Sequence, residues 1–136
     1  MTSIDTEVHA AASFPDKMNL AVQLLKNLSL GHATGILTKT ASYTIKDNDP
    51  DTVVVGAITA LAHATFTLPT CADNTGRCLT FIVGGDPGSN NVVIDGEGSE
   101  TINGATTKTN STQYNCITIL CDGTEWFIVN AEGTWT

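Results

Sequence analysis

Basic residues are scarce in this chain. Six Lys and Arg stand against 14 Asp and Glu, for a formal net charge of −8. The six are Lys17, Lys26, Lys39, Lys46, Arg77 and Lys108, and no two are adjacent. Nucleic-acid binding needs a basic stripe or aromatic platforms between basic residues, and neither is present. The same deficit disfavours an anionic membrane surface. Long apolar runs are missing too, so no segment is expected to span a bilayer. The N-terminal MTSIDTEVHAAASF lacks the basic start and apolar centre of a signal peptide, which points to a soluble product made in a cytoplasm. The sequons at Asn27 and Asn110 are therefore read as chance.

Catalytic motifs are equally thin. The Gly-Lys-Ser/Thr of a phosphate loop and the G-x-S-x-G of a nucleophile elbow are both lacking. His9, His32 and His63 show no H-x-x-x-H spacing, which argues against zinc. DNDPD at 47–51 starts like a calcium loop, but Thr52 stands where that loop needs Gly, and Ile58 where it needs Glu. Asn48-Asp49-Pro50 reads as a turn. No catalytic residue, cofactor or metal is expected, and the chain is not read as an enzyme. Paired carboxylates in a cleft would be the exception, as in a small carbohydrate-active or calcium-dependent enzyme.

Cys71, Cys78, Cys116 and Cys121 have no zinc-like spacing. Cys71 and Cys78 flank ADNTGR and could close it as a disulfide. Alternation in CITILC puts Cys116 and Cys121 on opposite faces, so those two cannot bridge within a regular strand. Reduced, buried thiols are the default for a cytoplasmic product.

With 136 residues, one domain is the simplest organisation. Residues 1–12 read as a flexible arm and 13–31 as an amphipathic helix. Ser13 is its candidate N-cap, with Asp16 three residues on, Pro15 in the first turn and Gly31 as the stop. Met18, Ala21, Val22, Leu25 and Leu28 form one stripe. That stripe must be buried, against either the chain's own β-domain or a neighbouring subunit. Burial at about 1.5–3 kcal/mol per side chain would make it effective glue.

From residue 32 the period changes to two. GILTKTASYTIK, DTVVVGAIT, ATFTLP, CLTFIV, NVVID, a short piece at Thr101–Ile102, QYNCITIL and EWFIV alternate with segments rich in turn residues. Short strands at this spacing predict a mostly β body over 32–136, a short-stranded sandwich or barrel-like unit, with no solenoid-like repeat. Asp122-Gly123 signals a two-residue hairpin. VVIDGEGSETINGA, 92–105, carries Asp95, Glu97 and Glu100 among glycines. Its acids would repel phosphate and match no calcium loop, so it reads as a bend between strands.

Several motifs in order give a resemblance. Tyr43-Thr44, Thr67-Leu68-Pro69, Gly76-Arg77, Gly98-Ser99-Glu100-Thr101-Ile102-Asn103-Gly104 and Asp122-Gly123-Thr124-Glu125-Trp126 resemble a β-module of tailed-bacteriophage virion proteins. The likeness covers roughly 43–129 and omits the arm and helix, and the four cysteines depart from it. It implies a β-rich, often homotrimeric structural protein without catalytic residues. A chain holding little beyond the module suits a capsid decoration (cement) protein. Such a protein, made in the host cytoplasm, would sit on the virion's capsid surface and bind the major capsid protein as a homo-oligomer. The alternative is a receptor-binding module of a tail or head fibre, contacting host surface glycan through loops 84–91 and 103–112. Trp126 is assigned to the core. Met18, Val22, Leu25, Leu28 and Trp135 are the expected interface residues.

Overall fold

The computed structural model describes residues 35–58 and 62–136. The expected arm and helix, with Met18, Val22, Leu25 and Leu28, lie outside them. The described residues are mostly β: β1 Ile36–Lys39, β2 Tyr43–Thr44, β3 Thr52–Val55, β4 Ala64–Thr67, β5 Cys78–Val83, β6 Val92–Asp95, β7 Thr107–Asn110, β8 Cys116–Cys121 and β9 Trp126–Glu132. A single 3-10 turn, Cys71–Asp73, precedes β5 among them.

The strands form two open mixed sheets, ordered β1-β3-β5-β8-β9 and β2-β4-β6-β7. Neither closes, which corrects the barrel-like expectation. The first six strands alternate between the sheets, and each runs parallel to its neighbour from the previous turn. The described residues thus form a coil of three stacked turns. β7 then runs antiparallel to β6, β8 to β5, and β9 to β8, so the coil ends in antiparallel strands.

The stacked turns carry no repeat of fixed period in the sequence. The turns differ in length: 16 residues separate Ile36 from its partner Thr52, and 28 separate Thr52 from Thr80. Unequal turns leave no constant period across the chain. One echo survives, since TVVVG at 52 and TFIVG at 80 occupy equivalent places in adjacent turns. The segment 35–46 is two strands in different sheets rather than one, because the coil turns a corner between Lys39 and Tyr43. β7 falls in a stretch read as turn, where Thr and Lys give little apolar alternation.

Inward side chains stack in ladders across the strands. Leu37, Val53, Phe81 and Ile117 form one in the larger sheet. Tyr43, Phe66 and Ile94 form one in the smaller. The sheets meet where the rings of Phe66 and Phe81 lie 6.0 Å apart at a 57° tilt, a favourable edge-tilted geometry. Val55, Leu79, Ile119, Leu68, Val92 and Trp126 are also in the core. Burial of each such side chain stabilises the fold by about 1.5–3 kcal/mol.

Candidate functional site

The acidic stretch 92–105 is a bend, as its glycines suggest. Gly96 lies so close to Glu100 that an added Cβ would come within 2.1 Å of the Glu100 carbonyl oxygen. Asn103 and Gly104 have φ of 49° and 81°, and Ile102 and Ala105 exchange both backbone hydrogen bonds around them. That is the two-residue turn with positive φ at both central positions. The two-residue hairpin expected at Asp122-Gly123 is different. Asp122–Glu125 form a four-residue loop, in which the Asp122 carboxylate accepts from the N–H groups of Thr124 (2.8 Å) and Glu125 (2.9 Å). The bonds from Glu125 and Thr124 hold the Asp122 carboxyl below the ordinary aspartate range.

Several other acids tie loops together. The Glu100 carboxylate accepts from the Cys71 N–H, and Glu125 accepts from the Thr101 hydroxyl. The largest polar cluster surrounds Arg77, which is fully buried. Its Nε donates to Asp51 Oδ1 at 2.8 Å, Nη1 to Lys46 O and Asn74 Oδ1, and Nη2 to Asp49 O. Asn74 in turn donates to Asp47 and to Thr70 O. Tyr43 donates to Asp49 Oδ2 at 2.9 Å, a bond that pushes its hydroxyl pKa up. DNDPD is therefore the collar of a buried guanidinium. The turn reading holds, with Asp49 N–H bonded to Lys46 O. The sequence signal for the collar was the chain's single Arg, set among turn residues.

Two cysteines point inward and two outward. Cys71 and Cys121 are buried, Cys78 is exposed and Cys116 is half-buried. Cys116 and Cys121 do lie on opposite faces of β8. Cys71 sits apart in orientation from exposed Cys78, and its close neighbour is Cys121, whose Sγ donates to Cys71 O at 3.3 Å. Burial first, then the Cys121 thiol and the Glu100 carboxylate, raise the Cys71 thiol pKa far above its ordinary value. Desolvation, with the Asp51 charge second, raises that of Cys78.

The outward face of the five-stranded sheet is not uniformly polar. A threonine row, Thr52-Thr80-Thr118, crosses it, with a 2.9 Å hydroxyl contact between Thr80 and Thr118. Beside it stand Val54 paired with Ile82, and Leu120 paired with Phe127. Ile36 on β1 and Phe127 and Val129 on β9 are exposed, and these are the sheet's two edge strands. Trp126 is in the core as expected, its Nε1–H without a protein partner. Trp135, expected at an interface, lies instead within the body at 9% exposure. Its Nε1 donates to Cys116 O (3.0 Å) and Glu132 O (3.2 Å). The hydrogen bonds between Thr136 and Thr109 pin the tail against β7 and turn the indole inward.

A polar cleft of ≈ 540 Å³ opens beside that tail, lined by Asn, Thr, Ser and Gly, including Asn91, Ser111, Thr112 and Asn115. Of the two loops expected to meet glycans, 84–91 contributes Asn91 alone and 103–112 contributes Thr109, Asn110, Ser111 and Thr112. His63 Nδ1, accepting from Asn91 N–H at 2.9 Å, steadies the first of them. Tyr114, between two lining residues, is 74% exposed at φ 72°. Its N–H donates to Val83 O, while Val83 N–H donates to Asn115 O, and this clasp holds the left-handed backbone. An exposed aromatic at positive φ is uncommon, and nothing in QYN announces it.

Among the described residues, no group of three or more His, Cys, Asp or Glu is arranged to hold a metal ion. No described helix is long and apolar enough to cross a membrane. No model of a known protein family matches the chain, and no curated protein matches it.

Proposed function

We propose that this protein is a capsid decoration (cement) protein of a tailed bacteriophage. It binds the outer head surface through the major capsid protein, acts as a homo-oligomer, and stabilises the lattice by subunit contacts without catalysis. The observation that carries this reading is the outward face of the five-stranded sheet. There Ile36, Val54, Ile82, Leu120 and Phe127 leave apolar surface on a face that would otherwise be wet. The sheet also ends in two unlike edges, β1 and β9. Contact between unlike surfaces of identical copies closes into a ring when the rotation permits, which is the geometry a trimer needs. The residue motifs that resemble phage virion modules add the biological setting.

The test is the copy number of this chain in purified virions, counted against the major shell protein by quantitative mass spectrometry. Copies comparable to the shell protein support a capsid coat. Complete absence from particles would remove the reading.

The cleft favours a second reading, a receptor-binding fibre module. Neutral amides and hydroxyls line it, and the exposed Tyr114 lies in the chain between the lining residues Thr112 and Asn115; such groups suit a polyhydroxylated ligand such as a host surface glycan. A handful of copies per particle, together with glycan binding lost on Tyr114→Ala, would favour it over the coat.

A further inference from the structure

Cys71 opens the 3-10 turn between β4 and β5, and Cys121 is the last residue of β8. Fifty residues of chain separate them, yet both are buried and the Cys121 Sγ lies 3.3 Å from Cys71 O. That contact places the Cys121 sulfur directly against the residue that carries the second buried thiol. Both backbones are pinned: Cys121 N–H donates to Arg77 O, its carbonyl accepts from Gly76 N–H, and Cys71 N–H is bound by Glu100. The other two cysteines cannot compete. Cys78 and Cys116 face outward and pair across strands with Leu120 and Ile82, not with each other.

We propose that Cys71 and Cys121 are a disulfide-forming pair that staples the β4–β5 connection to the end of β8. With a small-molecule disulfide such as oxidised glutathione as oxidant, the step balances. One cysteine thiolate attacks a glutathione sulfur, breaking the glutathione S–S bond and releasing one glutathione thiolate. The second cysteine thiolate then attacks the mixed disulfide, forming the Cys71–Cys121 bond and releasing the other. The two cysteines give up two electrons and two protons, and two reduced glutathiones are the product. The cross-link requires the Cys71 side chain to turn its sulfur toward the Cys121 Sγ, which already touches the Cys71 carbonyl, and to close to the ~2.05 Å of an S–S bond. Its benefit comes from restricting the unfolded chain, since the closed loop holds β5, β6, β7 and β8.

Because the thiolate is the reacting species, burial and the Glu100 carboxylate make the folded, reduced pair slow to react. Oxidation therefore accompanies folding, and the finished bond is shielded from reductant in the same way. The Cys71–Cys78 bridge that the sequence left open is disfavoured, since those side chains part between core and solvent.

The experiment is disulfide mapping of the full chain. The reduced, unfolded protein is refolded in a mixture of oxidised and reduced glutathione, free thiols are blocked with iodoacetamide, and the denatured product is digested with trypsin without reduction. Cleavage after Lys46, Arg77 and Lys108 isolates Cys71 in 47–77 and Cys78 in 78–108, and leaves Cys116 with Cys121 in 109–136. The expected product is 47–77 linked to 109–136, with Cys78 alkylated, and the link persisting in Cys116→Ser. A link between 47–77 and 78–108, loss of the link in Cys116→Ser, or 47–77 recovered only as the alkylated peptide would overturn the proposal.

Discussion

Arg77 and Asp51 form a 2.8 Å ion pair in which the guanidinium is wholly buried and the carboxylate about one-third exposed. The pair joins the residue before β5 to the residue before β3, so it clamps adjacent turns of the coil at equivalent places. Backbone carbonyls of Lys46 and Asp49 and the Asn74 amide occupy further guanidinium donors. The group is thus satisfied as a unit, and removal of either side leaves polar groups buried without partners.

Arg77→Ala is expected to destabilise the body by about 3–5 kcal/mol, the usual cost of breaking a buried pair from one side. Arg77→Lys should recover little, because an ammonium cannot reproduce the planar fork that reaches four acceptors. Urea unfolding followed by circular dichroism measures both. A loss under about 1 kcal/mol for the alanine variant would show that the collar is not a structural tie.

Phe66→Ala and Phe81→Ala are each expected to cost about 3–5 kcal/mol. Their rings touch, so the double variant should lose less than the two separate losses added, by about 0.5–1.5 kcal/mol. A double-mutant cycle in urea gives the coupling directly. Strict additivity would mean that the sheets meet elsewhere.

Trp135→Ala is expected to lower fold stability by about 3–5 kcal/mol, because the indole is buried and its N–H serves two carbonyls. Trp135→Phe keeps most of the volume and isolates the lost hydrogen bonds. Thermal unfolding of the separated subunit distinguishes this from an assembly role: an unchanged midpoint with lost assembly would return Trp135 to an interface.

Asp122→Ala should destabilise the β8–β9 loop in a pH-dependent way. The folded carboxyl titrates below the ordinary aspartate value of about 3.9. Its contribution is therefore complete above that value and is lost as pH falls through the lower, folded one. Urea midpoints of wild type and variant should differ most near neutral pH and converge in strong acid. A constant gap across that window would mean that the charge is irrelevant and only the loop geometry matters.

Phe127→Asp places a charge on the exposed apolar edge of β9 without entering the core. If that edge meets other subunits, the variant should keep its unfolding midpoint and lose assembly or particle occupancy, read by light scattering and by copy number. Unchanged occupancy would exclude this edge from the contact.

The local chemistry of the β-body was legible in the residues. Period-two alternation located Phe66, Leu68 and the whole of CLTFIV, because inward and outward positions must differ wherever one sheet face is dry. The glycines of 92–105 marked a bend, and Asn103-Gly104 supplies its tight turn because few pairs tolerate positive φ twice. Alternation in CITILC separated Cys116 from Cys121. What alternation cannot carry is which strand pairs with which. That 36–39 and 43–44 belong to different sheets, that three unequal turns stack in parallel, and that Trp135 folds inward depend on contacts between distant segments. The same holds for the meeting of Arg77 with Asp51, of Cys71 with Cys121, and of two loops around one cleft. The sequence by itself determined a β-rich body and its turns, because backbone sterics and side-chain periodicity act over a few residues. Only the tertiary structure decided the coil and its cross-chain partners, because those follow from the joint packing of two sheets around one core.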